Sequence, residues 1–161
     1  MLPEAVAQHP SVVAIAQQLP DAIEDATIAV DGPVLTLSSV QILPVCRILK
    51  ESAGFDRISA ITGVDWWPRE PRFEVVYFLH SMRRNARLRL NLRLEENETV
   101  ESVCPVWRGA NWYEREVFDL FGIHFRNHPN LERIMLPADW EGYPLRKDYP
   151  VHGHKYSYQD E

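Results

Sequence analysis

The sequence predicts an α+β fold, a two-layer domain with helices packed on a mixed or antiparallel sheet of about five strands and an irregular C-terminal extension. Three observations carry that expectation. In residues 86–94, Leu88, Leu90, Leu92 and Leu94 alternate with Arg87, Arg89, Asn91 and Arg93, the period of two of a strand with one buried and one wet face. Two segments, 10–20 and 40–52, space their apolar residues as helices do. Residues 123–161 show no sustained period and carry Pro129, Pro137, Pro144 and Pro150, a run too long to be an ordinary connection.

The elements are expected in this order. Pro10 opens a short helix with Val12, Val13, Ile15, Ala16 and Leu19 on its apolar side, closed by Pro20. Thr27–Val30 and Val34–Ser38 flank Asp31-Gly32-Pro33 and read as a hairpin. Ser39 is placed to cap a second helix from about Val40 to Ser52, with Pro44 in its first turns, Val45, Ile48 and Leu49 on one face and Gly54 beyond its end. Strands are expected at Ile58–Trp66, Phe73–His80 and Ala86–Leu94, and a further one around Val100–Trp107. Asn111–Phe121 reads as a helix that Gly122 terminates. The organisation is therefore a core over 1–122 and an extended strap over 123–161, within one structural domain.

The chain has 161 residues, 45% of them hydrophobic and 25% charged, enough apolar material for one core. Its net charge of −6 gives no footprint for nucleic-acid phosphates. The charge is segregated: residues 1–46 hold five acids and no Lys or Arg, 47–94 hold ten bases and five acids, and 95–161 hold seven bases and thirteen acids. Fourteen of the seventeen bases are Arg. Arg83, Arg84, Arg87, Arg89 and Arg93 thus form a basic face suited to docking, or to pairing with the protein's own acids.

Several chemistries lack support. Cys46 and Cys104 are the only cysteines and sit among apolar residues, so they read as buried hydrophobes rather than cluster ligands. No basic n-region precedes Arg47, so a reduced, cytosolic setting is expected. The longest apolar runs fall far short of the ~20 residues of a membrane span. Glycine-rich nucleotide cradles and a G-x-S-x-G elbow are absent. His124 and His128 stand four apart, and His152 and His154 lie beside Asp148. Past a helix-ending glycine that spacing guarantees no shared face, so no metal is assigned. Glu114, Arg115, Glu116 and Asp119 admit an acid–base site, yet Arg115 and Asp119 at i, i+4 are expected simply to pair. No catalytic residue is assigned, although a free-standing enzyme built on Glu114, Asp119 and His124 stands as the alternative of a different class.

Four motifs occur in order: E-R-E-x-x-D-L-F-G-I at Glu114–Ile123, H-P-x-L at His128–Leu131, L-P-x-D-W-E-G at Leu136–Gly142 and P-L-R-K-D-Y-P at Pro144–Pro150. This series resembles the thirty-kilodalton subunit family of NADH:quinone oxidoreductase, respiratory complex I. Ile61-Thr62-Gly63-Val64-Asp65 is similar to the family's looser upstream pattern. Two positions depart from it: Asn127 where glycine is common, and Tyr143 where histidine is common.

The resemblance implies a cofactor-free peripheral-arm subunit on the cytoplasmic side, packed against the large quinone-site subunit and near iron–sulfur subunits, with FMN and the clusters held by partners. Membrane contact would come only through the complex. The residues it marks for the partner interface are Glu114, Arg115, Glu116, Asp119, Gly122, His128, Pro129, Asp139, Trp140, Gly142, Pro144, Leu145, Arg146, Lys147, Asp148, Tyr149 and Pro150. Trp140, Tyr143 and Tyr149 are expected to anchor the strap in partner pockets. Arg146-Lys147-Asp148 supplies charge-specific contacts or locks the tail to its own domain. An energy-converting hydrogenase or a ferredoxin-fed quinone reductase, which use an equivalent module, is the alternative host.

Overall fold

A computed structural model describes residues 4–151. Helices α1 (Glu4–Ala7) and α2 (Pro10–Gln18) open the chain. At α2, Pro10 occupies the first turn and the His9 ring accepts from the Ser11 amide at 3.3 Å, so side chain and proline together set the start. The hairpin follows as β1 (Ile23–Ala29) and β2 (Gly32–Leu37), with β1 starting earlier than the turn signal alone indicates. A 3-10 turn, Ser39–Gln41, leads into α3 (Ile42–Glu51), whose Val45, Ile48 and Leu49 are buried as the spacing requires. Ser39 does not cap this helix. Its hydroxyl donates to Glu98, 59 residues away, a tertiary partner that local sequence cannot reveal.

Three long strands build most of the sheet: β3 (Arg57–Asp65), β4 (Phe73–Ser81) and β5 (Ala86–Leu94). The order is β1-β2-β5-β4-β3, with β2 and β5 parallel and every other pair antiparallel, so the sheet is mixed. Residues directly opposite share a face. The register sets Ile61, Tyr77, Leu90, Leu35 and Ala26 in one row of the core, with Gly63, Val75, Leu92 and Leu37 in the next. The helices contribute their buried side chains to this same core. The fold therefore has two layers, and the opposite sheet face carries the arginines of β5.

The strand expected over Val100–Trp107 shrinks to β6 (Val100–Glu101). Beyond it the Ser102 hydroxyl and the Val103 amide turn onto Glu114, and a turn closes from the Val106 amide to the Val103 carbonyl. Helix α4 (Ala110–Phe121) then runs to Gly122, and β7 (Phe125–Arg126) pairs in parallel with β6. The irregular extension thus begins with two strand residues, too few for any periodicity to show.

Helix α4 lies on β3 at Gly63, where a Cβ would stand 2.7 Å from the Phe121 ring. Only a residue without a side chain lets the helix approach this closely. Gly63→Ala is expected to destabilise the domain by about 1–3 kcal/mol through overpacking. Urea denaturation measures it, and an unchanged midpoint would remove the close approach as a constraint.

Candidate functional site

Among the described residues of the strap, 123–151, there is almost no regular structure, so the backbone groups must find partners elsewhere. Asp119 supplies the first anchor. It is fully buried on α4, and one oxygen accepts from the amides of Ile134, Met135 and Leu136 at 3.0, 2.7 and 3.0 Å. The other accepts from Arg133 at 2.6 Å. Arg133 also donates to the carbonyls of Trp140 and Gly142, so one ion pair folds residues 133–142 into a loop. Burial by itself would raise the Asp119 carboxyl. The bonds from Arg133 and the three amides outweigh it and hold the group below the usual aspartate range.

Gly122 supplies the second anchor. It closes α4 in the left-handed region at φ 77°, its amide bonded to the Phe118 carbonyl. A Cβ there would lie 2.6 Å from the Tyr143 ring and 2.7 Å from the Arg146 guanidinium. Tyr143 therefore packs on the helix end, flanked by Arg133 and Arg146 at 5.2 and 4.8 Å from its ring centre. Arg146 stacks over Phe73 as well and donates to the Phe121 carbonyl at 2.6 Å. The Leu145 amide meets the Leu120 carbonyl at 3.1 Å.

The third anchor centres on Arg72, whose side chain is 3% exposed. It donates to both oxygens of buried Asp65, to Glu96 at 2.7 Å and to Asp148 at 2.6 Å. Asp65 in turn accepts from the amides of Lys147 and Trp67. Burial would raise Asp65, and these bonds overcome it and lower it. Asp148 is lowered chiefly by Arg72. Of the two roles expected for Arg146-Lys147-Asp148, these bonds supply the lock on its own domain.

A fourth cluster ties β6 to α4. Glu114 is fully buried and accepts from the Ser102 hydroxyl at 2.6 Å, the Val103 amide at 2.7 Å and the Cys104 thiol at 3.4 Å. Burial raises its carboxyl. The Cys104 sulfur, a Glu114 oxygen and a His128 ring nitrogen all lie within 4.8 Å of one another. His128 Nδ1 accepts from the Asn130 amide, so Nε2 carries the proton and donates to the Asn111 carbonyl. Its lone pair is committed and the ring is a structural bridge. Burial also raises the thiols, Cys104 to about 11. Both cysteines are free.

Several sequence expectations change here. Arg115 and Asp119 do not pair: Arg115 stacks on Trp112 and donates to the Glu132 carbonyl, because Asp119 turns inward to Arg133. Glu114 and Asp119, five residues apart on a helix, point about 140° from each other and serve different clusters. They do not form a paired-carboxylate site. His124 is exposed and edges onto Phe118, so it does not converge with His128. His152 and His154 lie outside the described residues. Tyr143 packs on the helix end, the Tyr149 hydroxyl donates to the Glu141 carbonyl, and Trp140, Tyr143 and Tyr149 are all half-buried. Glu116, Pro129, Asp139 and Pro150 are exposed, and Pro144 is half-buried.

Asn127, at a position where glycine is common, has φ 58°. Asparagine tolerates that region best after glycine, and its amide reaches Glu101 at 2.6 Å. Sequence reasoning misses Arg72, Glu96 and Arg133 as anchors. Arg72 leaves one trace, a charged residue abutting the apolar run of β4.

Comparison with known proteins agrees with the motif series. Residues 35–155 match the family described as respiratory-chain NADH dehydrogenase, 30 Kd subunit. Over 113 residues the protein is 48% identical to an NADH-quinone oxidoreductase subunit of Geotalea uraniireducens, covering 70% of this chain and 69% of that protein. It is 43% identical over 138 residues to the mitochondrial NADH-ubiquinone oxidoreductase 30.4 kDa subunit of Neurospora crassa, covering 84% of this chain and 49% of that protein. Among solved structures it resembles one polypeptide of an archaeal respiratory membrane complex, the membrane-bound sulfane sulfur reductase. The TM-score is 0.72 and the identity 28%, over 87% of this chain and 84% of that one.

Two predictions test the anchors. Asp119→Asn sets an NH2 group against donors on one side and leaves Arg133 without its anion. A loss of about 3 kcal/mol is expected in urea denaturation, with early tryptic cleavage within 133–147; wild-type behaviour in both assays would refute the anchor. Asp65, Asp119 and Asp148 are lowered in the folded protein, so their contribution is full above the ordinary aspartate range, roughly pH 4. It disappears as pH falls through their depressed values. The strap is expected to release in that acid window, read by protease susceptibility, and release only above pH 5 would contradict the assignment.

Proposed function

The chain belongs to the 30-kDa subunit family of respiratory-chain NADH dehydrogenase, the NADH-quinone oxidoreductases, and from that premise we propose that it is a structural subunit of such a complex. In this reading electrons pass from NADH through FMN and iron–sulfur clusters held by other subunits to quinone. This protein holds no cofactor and shapes the peripheral arm beside the quinone-site subunit and the cluster-bearing subunits, on the cytoplasmic side of the membrane. Among the described residues no helix is long and apolar enough to cross a membrane, in keeping with attachment through partners.

The observation that carries the proposal is the strap. Arg133, Arg146, Asp148 and the amides of residues 134–136, 145 and 147 are held by its own core, while Met135 and Leu145 on it and Trp112 on α4 are 62%, 51% and 62% exposed. A segment rigid beforehand loses little entropy on docking, and exposed large apolar side chains are what a partner would bury. The residues the motifs mark for the interface act mostly at one remove, by fixing the shape that presents Met135 and Leu145. Likeness to the sulfane sulfur reductase polypeptide supports a second reading, the equivalent module of a related respiratory complex. The higher identity to NADH-quinone oxidoreductase subunits favours the first.

Tagging the protein at its native locus, extracting membranes in mild detergent and identifying co-purifying proteins tests this directly. Flavin- and cluster-bearing subunits with NADH-dependent quinone reduction are expected. Hydrogenase-type partners would favour the related complex, and recovery of the tagged protein alone would overturn both. Asp148→Arg is expected to abolish assembly, because Arg72 keeps Asp65 and the core while the strap end loses its anchor. A normal assembled yield of this variant, seen on native gels, would separate the strap from assembly.

A further inference from the structure

Among the described residues, the sheet face opposite the core is a large surface whose side chains the fold leaves half-finished. Its rows follow from the register: Ala60, Phe78, Arg89 and Val34 stand opposite one another, then Thr62, Val76, Asn91 and Thr36, then Val64, Glu74 and Arg93, with His80 and Arg87 beside the first row. The buried side chains of the helices gather on the other side, so among the described residues no helix crosses these rows.

Three features of this face point to an occupant. First, it is basic. Arg57 and Arg87 are exposed at one end and have no acidic partner among the described residues. Arg89 reaches Asp31 only at 3.6 Å. The one acid within the rows, Glu74, is already taken by the Trp66 indole N–H at 2.8 Å, by the Asn91 amide at 2.8 Å and by Arg93 at 3.6 Å. Second, Arg89 Nε and His80 Nε2 are buried without a hydrogen-bond partner, and both can donate to an incoming acceptor. Such orphans are rare in finished structures, and these two share this face. Third, a groove of about 480 Å³ runs here, lined by Arg57, Phe78, His80, Arg87 and Arg89 and by the acid Asp31 that Arg89 faces, large enough for two or three side chains.

We propose that this face docks an acidic segment of a neighbouring subunit, whose carboxylates pair with Arg57, Arg87 and Arg89 while its apolar atoms cover Phe78 and Ala60. The proposal rests on the subunit reading and adds to it a second contact surface, on the side of the sheet away from the strap anchors. Arginine suits the task because its planar fork binds carboxylates in two parallel bonds and stacks on aromatics, as Arg89 already does over Phe78 at 5.1 Å.

The test uses the full-length protein in its native membranes. A photo-crosslinking amino acid replaces Thr62, exposed on the edge strand β3 in the second row of the face, or Leu145 on the strap, and crosslinked peptides are identified by mass spectrometry. The expected result is a Thr62 crosslink to a peptide of another subunit bearing at least two Asp or Glu within five residues. It should fall at least fivefold in the Arg57→Glu, Arg87→Glu double variant, while the Leu145 crosslink persists. Both substituted side chains are exposed, so the fold survives, and the isolated protein should melt as wild type. A Thr62 crosslink to residues 152–161, to a second copy or to a segment without acids would overturn the proposal. So would silence at Thr62 with a productive Leu145. Silence at both, with the protein migrating alone, would overturn the subunit reading along with it.

Discussion

The arrangement of this molecule depends on one buried guanidinium. Arg72 stands where β4 begins and holds Asp65 from the end of β3, Glu96 from beyond β5 and Asp148 from the strap. A cation this deep is tolerable only when its donors are engaged by anions fixed in place. Here the anions come from segments up to 76 residues away from it along the chain, so satisfying one charge determines where three pieces of chain lie. The same centre orients Arg146, which shares Glu96 with Arg72 and stacks on Phe73 beside it. Sheet end and strap end are thereby one polar cluster seated on apolar walls.

Asp119 works by the same logic on a smaller scale. Three consecutive amides converge on one carboxylate oxygen, a geometry that irregular backbone adopts only when a charge organises it. Gly122 and Gly63 do the complementary work through absence, letting the Tyr143 ring and the Phe121 ring sit where a methyl group would stand. Together these features account for the path of residues 123–151, which have hardly any secondary structure of their own.

Much of this is legible in the sequence, and the boundary is physical. Leu88 through Leu94 reveal their strand because burial on one face imposes a period of two, and Gly122 reveals the end of α4 because a left-handed cap selects glycine. The motifs single out Glu114, Asp119, His128 and Asp148 as a group but not their partners: helical spacing assigns Asp119 to Arg115, and it belongs to Arg133. Ser39 likewise reads as a local cap and bonds across the molecule. Such errors share a cause, since side-chain pairing over long sequence separation leaves no periodic trace. The parallel pairing of β2 with β5 and the hub at Arg72 are invisible for the same reason.

That parallel pairing carries an implication for synthesis on the ribosome. β2 finds its inner neighbour only in β5, so the amino-terminal hairpin and α3 must wait with an open edge until residue 94 has emerged. The strap can settle only afterwards, on anchors already laid down. Vectorial production therefore works against the fold's own order of assembly, leaving a nascent polypeptide with an unpaired strand edge, the kind of surface that chaperones exist to shield.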